Sequence, residues 1–200
     1  MSVAVRILIG FAARTAAQFN FGVEVMLSVS YAHYLRVMLR LRQGANQAMD
    51  SIRQLGYSYF CEKCGYRNVD ASTFPKEMNC PLCGNRLLIG GKLWTGSLYD
   101  RKTLKNAISE FKRRKFDEAG LRKLETIMNE PDAPLYYSIP KITKKMRLPS
   151  ISPSIVAESL RKKRCEAEKT HFEKDCIKTN AGIAEIKKEI AGLSEQSKKV

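Results

Sequence analysis

The chain of 200 residues suits one ordinary domain or two small ones, and its 44% hydrophobic content excludes wholesale disorder. Its 35 Lys and Arg outnumber 20 Asp and Glu, giving a net charge of +15. In a heat-stable protein with a lysine-rich surface the acids would nearly match the bases, so this imbalance points instead to a polyanionic partner, nucleic acid above all. The excess is shared: 11 bases and 6 acids up to Asp100, then 24 and 14 beyond it.

No apolar run reaches transmembrane length, so no membrane partner is expected. Arg6 interrupts the apolar opening, which argues against a secretory signal and for a cytoplasmic protein. An Arg-bearing, acid-free opening still leaves a mitochondrial presequence open. Read as a helix, the stretch lines Arg6, Gly10 and Arg14 on one face and Ile7, Leu8, Phe11 and Ala12 on others. Val23–Val29 reads as a strand. In Tyr34–Arg42, Leu35, Val37, Leu39 and Leu41 alternate with Arg36, Met38, Arg40 and Arg42, the period of a half-buried strand. The outward arginines either protect a sheet edge or touch phosphate. A helix and hairpin over residues 1–43 are too little to bury a core alone, so something upstream or in another chain should complete them.

Ala45–Leu55 is helix-like, with Gly56 as a stop, and Tyr57–Phe60 is a short strand. Cys61-Glu-Lys-Cys64-Gly65 and Cys80-Pro-Leu-Cys83-Gly84 follow, two Cys-x-x-Cys pairs at zinc-ribbon separation. Zinc takes four thiolates in a tetrahedron, and one tight turn presents both sulfurs of each pair. The competing readings are two disulfides or a redox pair. Nothing indicates secretion, and a redox motif needs no duplicate. Cys61, Cys64, Cys80 and Cys83 are therefore expected to hold a structural zinc. Trp94, the single tryptophan, reads as an anchor between ribbon and neighbour.

Beyond Asp100, Arg101–Lys115 is a cationic helix burying Leu104, Ile108 and Phe111, and Asp117 caps a second helix through Met128. Pro140–Leu148 and Pro153–Arg164 are further helices, the latter ending in Arg161-Lys162-Lys163-Arg164. Strands at Cys165–Phe172 and Cys176–Thr179 and a helix capped by Asn180 complete the pattern, before a tail from Ser194. Helix, turn, helix and two-stranded ribbon is winged-helix order. A basic helix end is either a solvated dipole partner or a phosphate contact. Here four bases precede a wing bearing Lys169, Thr170, His171 and Lys178, which favours phosphate. The helix face offers few groups for base reading, so shape-based RNA binding suits it better than sequence-specific DNA binding. Cys165, Cys176 and His171 are one ligand short of a second metal site, and buried free cysteines are the plainer reading.

Arg6-Ile-Leu-Ile-Gly-Phe-Ala-Ala-Arg14-Thr, His33-Tyr-Leu-Arg36-Val, the cysteine ribbon, Gly91-Lys-Leu-Trp94-Thr-Gly-Ser-Leu98 and Tyr136-Tyr-Ser-Ile-Pro140-Lys occur here in one order. Together with Thr170-His171 and Ile177-Lys-Thr179 they resemble the carboxy-terminal half of the tRNA (guanine(26)-N(2))-dimethyltransferases. Lys92 and Ser97 stand where that family usually shows prolines. The resemblance implies an α+β fold in three parts. Residues 1–43 would be the last helix and strands of a class I methyltransferase sheet, 44–99 a zinc ribbon with its Trp-containing linker, and 100–193 a winged-helix-like RNA-binding domain, with 194–200 a tail. It implies tRNA as partner, with Arg6, Arg14, Arg36, Arg161, Lys162, Lys163, Arg164, Lys169, His171 and Lys178 as candidate contacts. S-adenosylmethionine would be the family's cofactor. No Gly-x-Gly-x-x-Gly turn or Asp-Pro-Phe motif occurs here, so no catalytic or cofactor-binding residue is nominated, and the chemistry is expected on a part supplied elsewhere. The alternative is a stand-alone zinc-ribbon and winged-helix DNA-binding regulator.

Overall fold

The computed structural model describes residues 2–31 and 34–196. The first helix, α1 (Ser2–Ala17), buries Val5, Ile9 and Ala13. It lies on the hairpin of β1 (Phe21–Tyr31) and β2 (Tyr34–Gln43), paired antiparallel with a bulge between Val25 and Leu27. The alternation expected in β2 holds as far as Leu39: Leu35, Val37 and Leu39 pack on the core while Arg36, Arg40 and Arg42 face out, but Leu41, near the strand end, is exposed. Arg40 and Arg42 reach across to Glu24 on β1 at 3.5 and 3.0 Å. His33, part of the family-like motif, lies outside the described residues.

Helix α2 (Ala45–Arg53) stops two residues earlier than its apolar spacing suggests. Gly56 is not its stop but part of β3 (Leu55–Phe60), where a Cβ would sit 1.8 Å from the Asp70 carbonyl oxygen. Strand β3 is the middle of a three-stranded sheet, flanked by β4 (Arg67–Asp70) and β5 (Leu88–Trp94). Helix α1 approaches β5 closely through Gly10, whose added Cβ would meet Leu93 Cα at 3.1 Å. Trp94 thus enters the core under α1, beside Leu55 and Leu98, and its indole N–H donates to the Ser97 carbonyl at 3.0 Å.

Two helices follow, α3 (Arg101–Arg113) and α4 (Glu118–Asn129), capped by Asp100 and Asp117 through the Thr103 and Gly120 N–H groups. Both helices differ from their expected allocation to the basic unit 100–193. Leu104, Leu124 and Ile127 join the cluster of Val5, Ile9, Val25 and Trp94. Part of the core on the hairpin is therefore supplied from downstream, by α3 and α4.

A second cluster belongs to the remaining elements. These are β6 (Tyr136–Ser138), α5 (Ile139–Met146), α6 (Pro153–Lys162), β7 (Ala167–Lys169), β8 (Cys176–Thr179) and α7 (Ile183–Gln196), with sheet order β6-β8-β7. Asn180 does not cap α7, because its side chain accepts from the Glu166 N–H instead. Ser194, expected to begin a frayed tail, is buried in α7, while 197–200 lie outside the described residues. No helix among the described residues is long and apolar enough to cross a membrane.

Candidate metal centre and nucleic-acid interface

The four cysteine sulfurs converge, all within 4.8 Å of one another. Each pair sits on a turn closed by an N–H donated to the first cysteine's carbonyl, Gly65 to Cys61 and Gly84 to Cys80, both at 2.9 Å. Those glycines have φ of 86° and 70°, a conformation that a side chain would strain. Cys61 Sγ lies 3.5 Å from Cys83 and Cys64 Sγ 3.4 Å from Cys80. At Cys61 burial resists ionisation, but hydrogen bonds from the Cys64 backbone and the neighbouring thiols outweigh it and bring the thiol down to about 6. At Cys64 burial, with the other three thiols, pushes it up to about 12 against the Tyr66 N–H. A thiolate at Cys61 thus disfavours one at Cys64 unless a cation offsets the charge. Four soft donors with no position left over fit a structural zinc rather than a catalytic one.

The first knuckle is also a joint. Lys187 on α7 donates to the Cys64 carbonyl at 2.8 Å, Lys145 on α5 to that of Glu62, and Arg67 on β4 to that of Tyr136. The Arg67 guanidinium lies over the rings of Phe60 and Tyr137, and burial lowers its pKa. The second knuckle points to solvent, with Leu82 exposed.

Three of the basic residues expected to touch RNA are instead internal, and this corrects the sequence reading. Arg6 is 1% exposed and donates to the carbonyls of Trp94, Gly96 and Pro134 at 2.9, 2.9 and 3.0 Å. Its burial lowers the guanidinium pKa to about 10, which Asp132 partly offsets. Lys178 and His171 both pair with Glu130, at 3.1 and 2.6 Å, and all three side chains are at most 2% exposed. Thr170 Oγ1 donates to the same Glu130 carboxylate at 3.1 Å. Burial would raise the Glu130 carboxyl, but the His171 hydrogen bond and the charges of His171 and Lys178 outweigh it and hold it below the usual range. These groups tie α4 to β8 and to the loop between β7 and β8. They are structural because a buried charge is retained only when paired.

The other candidates lie at the surface. Arg36 is exposed above the Tyr34 ring, and Arg14 donates to the Lys92 carbonyl at 3.1 Å. At the end of α6, Arg161 pairs with Glu168, Lys162 with Glu158 and Lys163 with Glu189, while Arg164 is exposed. Lys169 is exposed beside the β7–β8 loop. Sequence reasoning missed Glu130 and Arg67. Glu130 carried a signal: an acid at the last turn of a helix opposes the helix dipole and needs another reason to be there.

A mixed α/β chain with a four-cysteine cluster that could hold a metal ion and a net charge of +15 belongs to a limited class of folds. Residues 2–191 match the family model described as N2,N2-dimethylguanosine tRNA methyltransferase, and the chain belongs to that family. It is 36% identical over 187 residues to a tRNA (guanine(26)-N(2))-dimethyltransferase of Methanospirillum hungatei, covering 92% of this chain and 50% of the relative. A protein of the same name from Methanobrevibacter smithii is 33% identical over 198 residues, covering 96% and 51%. The solved structure of Trm1 from Pyrococcus horikoshii with S-adenosyl-L-methionine superposes with a TM-score of 0.80 at 30% identity, over 93% of this chain and 48% of that one. The chain thus spans about half the length of the relatives it matches.

Proposed function

We propose that this chain is the tRNA-binding and domain-stabilising part of a methyltransferase that forms N2,N2-dimethylguanosine at position 26 of tRNA. The observation that carries the reading is the family match across residues 2–191 by a chain covering only about half of each relative. No Gly-rich cofactor turn and no Asp-Pro-Phe motif occurs in its sequence. S-adenosylmethionine and the methyl-transfer step accordingly belong to the rest of the enzyme, which would extrude the target base to reach its amine. In this chain, Cys61, Cys64, Cys80 and Cys83 would hold zinc, which keeps the first knuckle in place for Lys145, Lys187 and Arg67. Trp94 fixes the ribbon to α1. The helix–helix–hairpin order with sheet order β6-β8-β7 supports a winged-helix-like module, and its basic surface offers phosphate contacts.

The test uses the purified chain, a tRNA transcript and labelled S-adenosylmethionine. The chain should bind tRNA with strong salt dependence and transfer no methyl group unless the remaining half of a relative is added. Turnover by the chain alone, or tighter binding to duplex DNA than to tRNA, would sink the assignment.

A further inference from the structure

The loop joining β7 and β8 does not project freely as a wing. It folds back on α4, because Glu130 at the end of that helix accepts from Thr170 Oγ1 and from the His171 backbone and is paired with the His171 ring. Phe172 follows into the first core, stacked on Tyr136 with centroids 6.3 Å apart. Between loop and helix lies a groove of about 550 Å³, lined by Arg122, Lys123 and Thr126 from α4 and by Lys169, His171 and Lys174 from the loop. Its four cations face one acid, Glu173.

We infer that this groove is a backbone-binding site for a structured RNA, built by the clamped loop rather than by the α6 helix end. The inference rests on the tRNA-binding reading above and assigns it a place. Two observations favour the groove. First, its charge is available. Lys169 and Lys174 are exposed and have no acidic partner among the described residues, whereas at the α6 end Lys163 pairs with the buried Glu189 and Arg161 holds both Glu168 and the Ala167 carbonyl. Arg122 pairs with Glu118, but both side chains are more than two-thirds exposed, and such helix-surface pairs give way to phosphate at little cost. Second, the walls are set in advance. Lys123 donates to the Ser30 carbonyl at 3.4 Å and lies over the Tyr31 ring, so a ligand meets ordered groups and orders little on binding.

The experiment compares the full chain with Lys169→Gln/Lys174→Gln and with a control losing the same charge from the ribbon, Lys76→Gln/Arg86→Gln. The probes are a tRNA transcript and a DNA duplex, titrated at several salt concentrations. The groove variant should bind tRNA roughly tenfold more weakly at low salt, with the slope of log affinity against log salt reduced by about 0.7–0.9 for each phosphate no longer neutralised. The control should match the wild type, and both variants should melt as it does. Unchanged tRNA affinity and slope in the groove variant overturn the groove while leaving the reading it rests on intact. Failure of the wild type to bind tRNA at all overturns that reading. Loss confined to the DNA duplex overturns the assignment to RNA.

Discussion

Arg6 shows at the scale of one residue how a charge can be read correctly and placed wrongly. Helical spacing sets Arg6 and Arg14 on one face of α1, but spacing does not say whether that face meets solvent or another segment. The carbonyls that hold Arg6 come from residues 94, 96 and 134, far along the chain and invisible to any local pattern. Arg6→Ala leaves three carbonyls without their donor. Hydrogen bonds to a charged group contribute about 1.5–3 kcal/mol apiece and do not sum, so a loss of about 3 kcal/mol is expected in urea unfolding. The salt slope of tRNA binding should not move, because no phosphate contact is removed. Glu130 makes a second residue-scale prediction. Its folded pKa lies below the unfolded value of about 4.3. Its contribution is therefore present above that pH and lost as pH falls through the folded value. Lys178 shifts downward through its own burial, which is the opposite of what an ion pair alone would do. The carboxylate, with four donor groups from three residues around it, decides the acid side. Unfolding free energies of wild type and Glu130→Gln, measured between neutral and strongly acid pH, should differ most near neutrality and converge in acid. A constant gap would show that Glu130 is not ionised in the fold.

Elements are legible in proportion to how local their causes are. The cysteine turns are readable because metal geometry fixes a spacing, and β2 because alternation is a property of the strand itself. The Asp100 and Asp117 caps act within three residues, and the residue type alone points to the Asp117 cap. The α3–α4 hairpin falls in a different unit from the one its sequence suggests, because its apolar face says only that it is buried, not against what. Asn180 is a sound cap candidate that lost to a nearer donor across the sheet, the Glu166 N–H. The ribbon supports a prediction at this scale. Its third strand ends in Trp94, the chain's single tryptophan, which is 6% exposed and packs into the first core. If zinc fixes the knuckles, a strong chelator or Cys83→Ser should lower the melting temperature and shift Trp94 emission to the red as β5 loosens. The intact chain should bind about one zinc, as a closed four-thiolate site requires. Emission unchanged after metal removal would mean that the sheet holds β5 without the metal.

For the whole molecule, the strongest constraint is that α1 carries apolar side chains on two sides, with Arg6 and Arg14 along a third. Val5, Ile9 and Ala13 are buried, yet Ile7, Leu8 and Phe11 on its other side are 48%, 43% and 61% exposed. A helix with a second, exposed apolar side suits a further layer, and the described residues put none there. Strand β2 likewise has β1 on one side and no strand on the other among the described residues. A sheet edge with a bare apolar helix beside it invites association. On the function proposed above, for a chain that spans about half the length of its relatives, the occupant would be the remaining half of such a methyltransferase. Leu8→Lys/Phe11→Glu tests this. Both side chains are exposed, so stability should change by less than about 0.5 kcal/mol per site. Capture of the remaining half of the Methanospirillum hungatei relative by this chain should be lost in the double variant while its melting temperature holds. Capture that survives both charges would place the partner on another face. Absence of capture by the wild type would leave the outer side of α1 a solvent face, and the two-layer argument would fail with it.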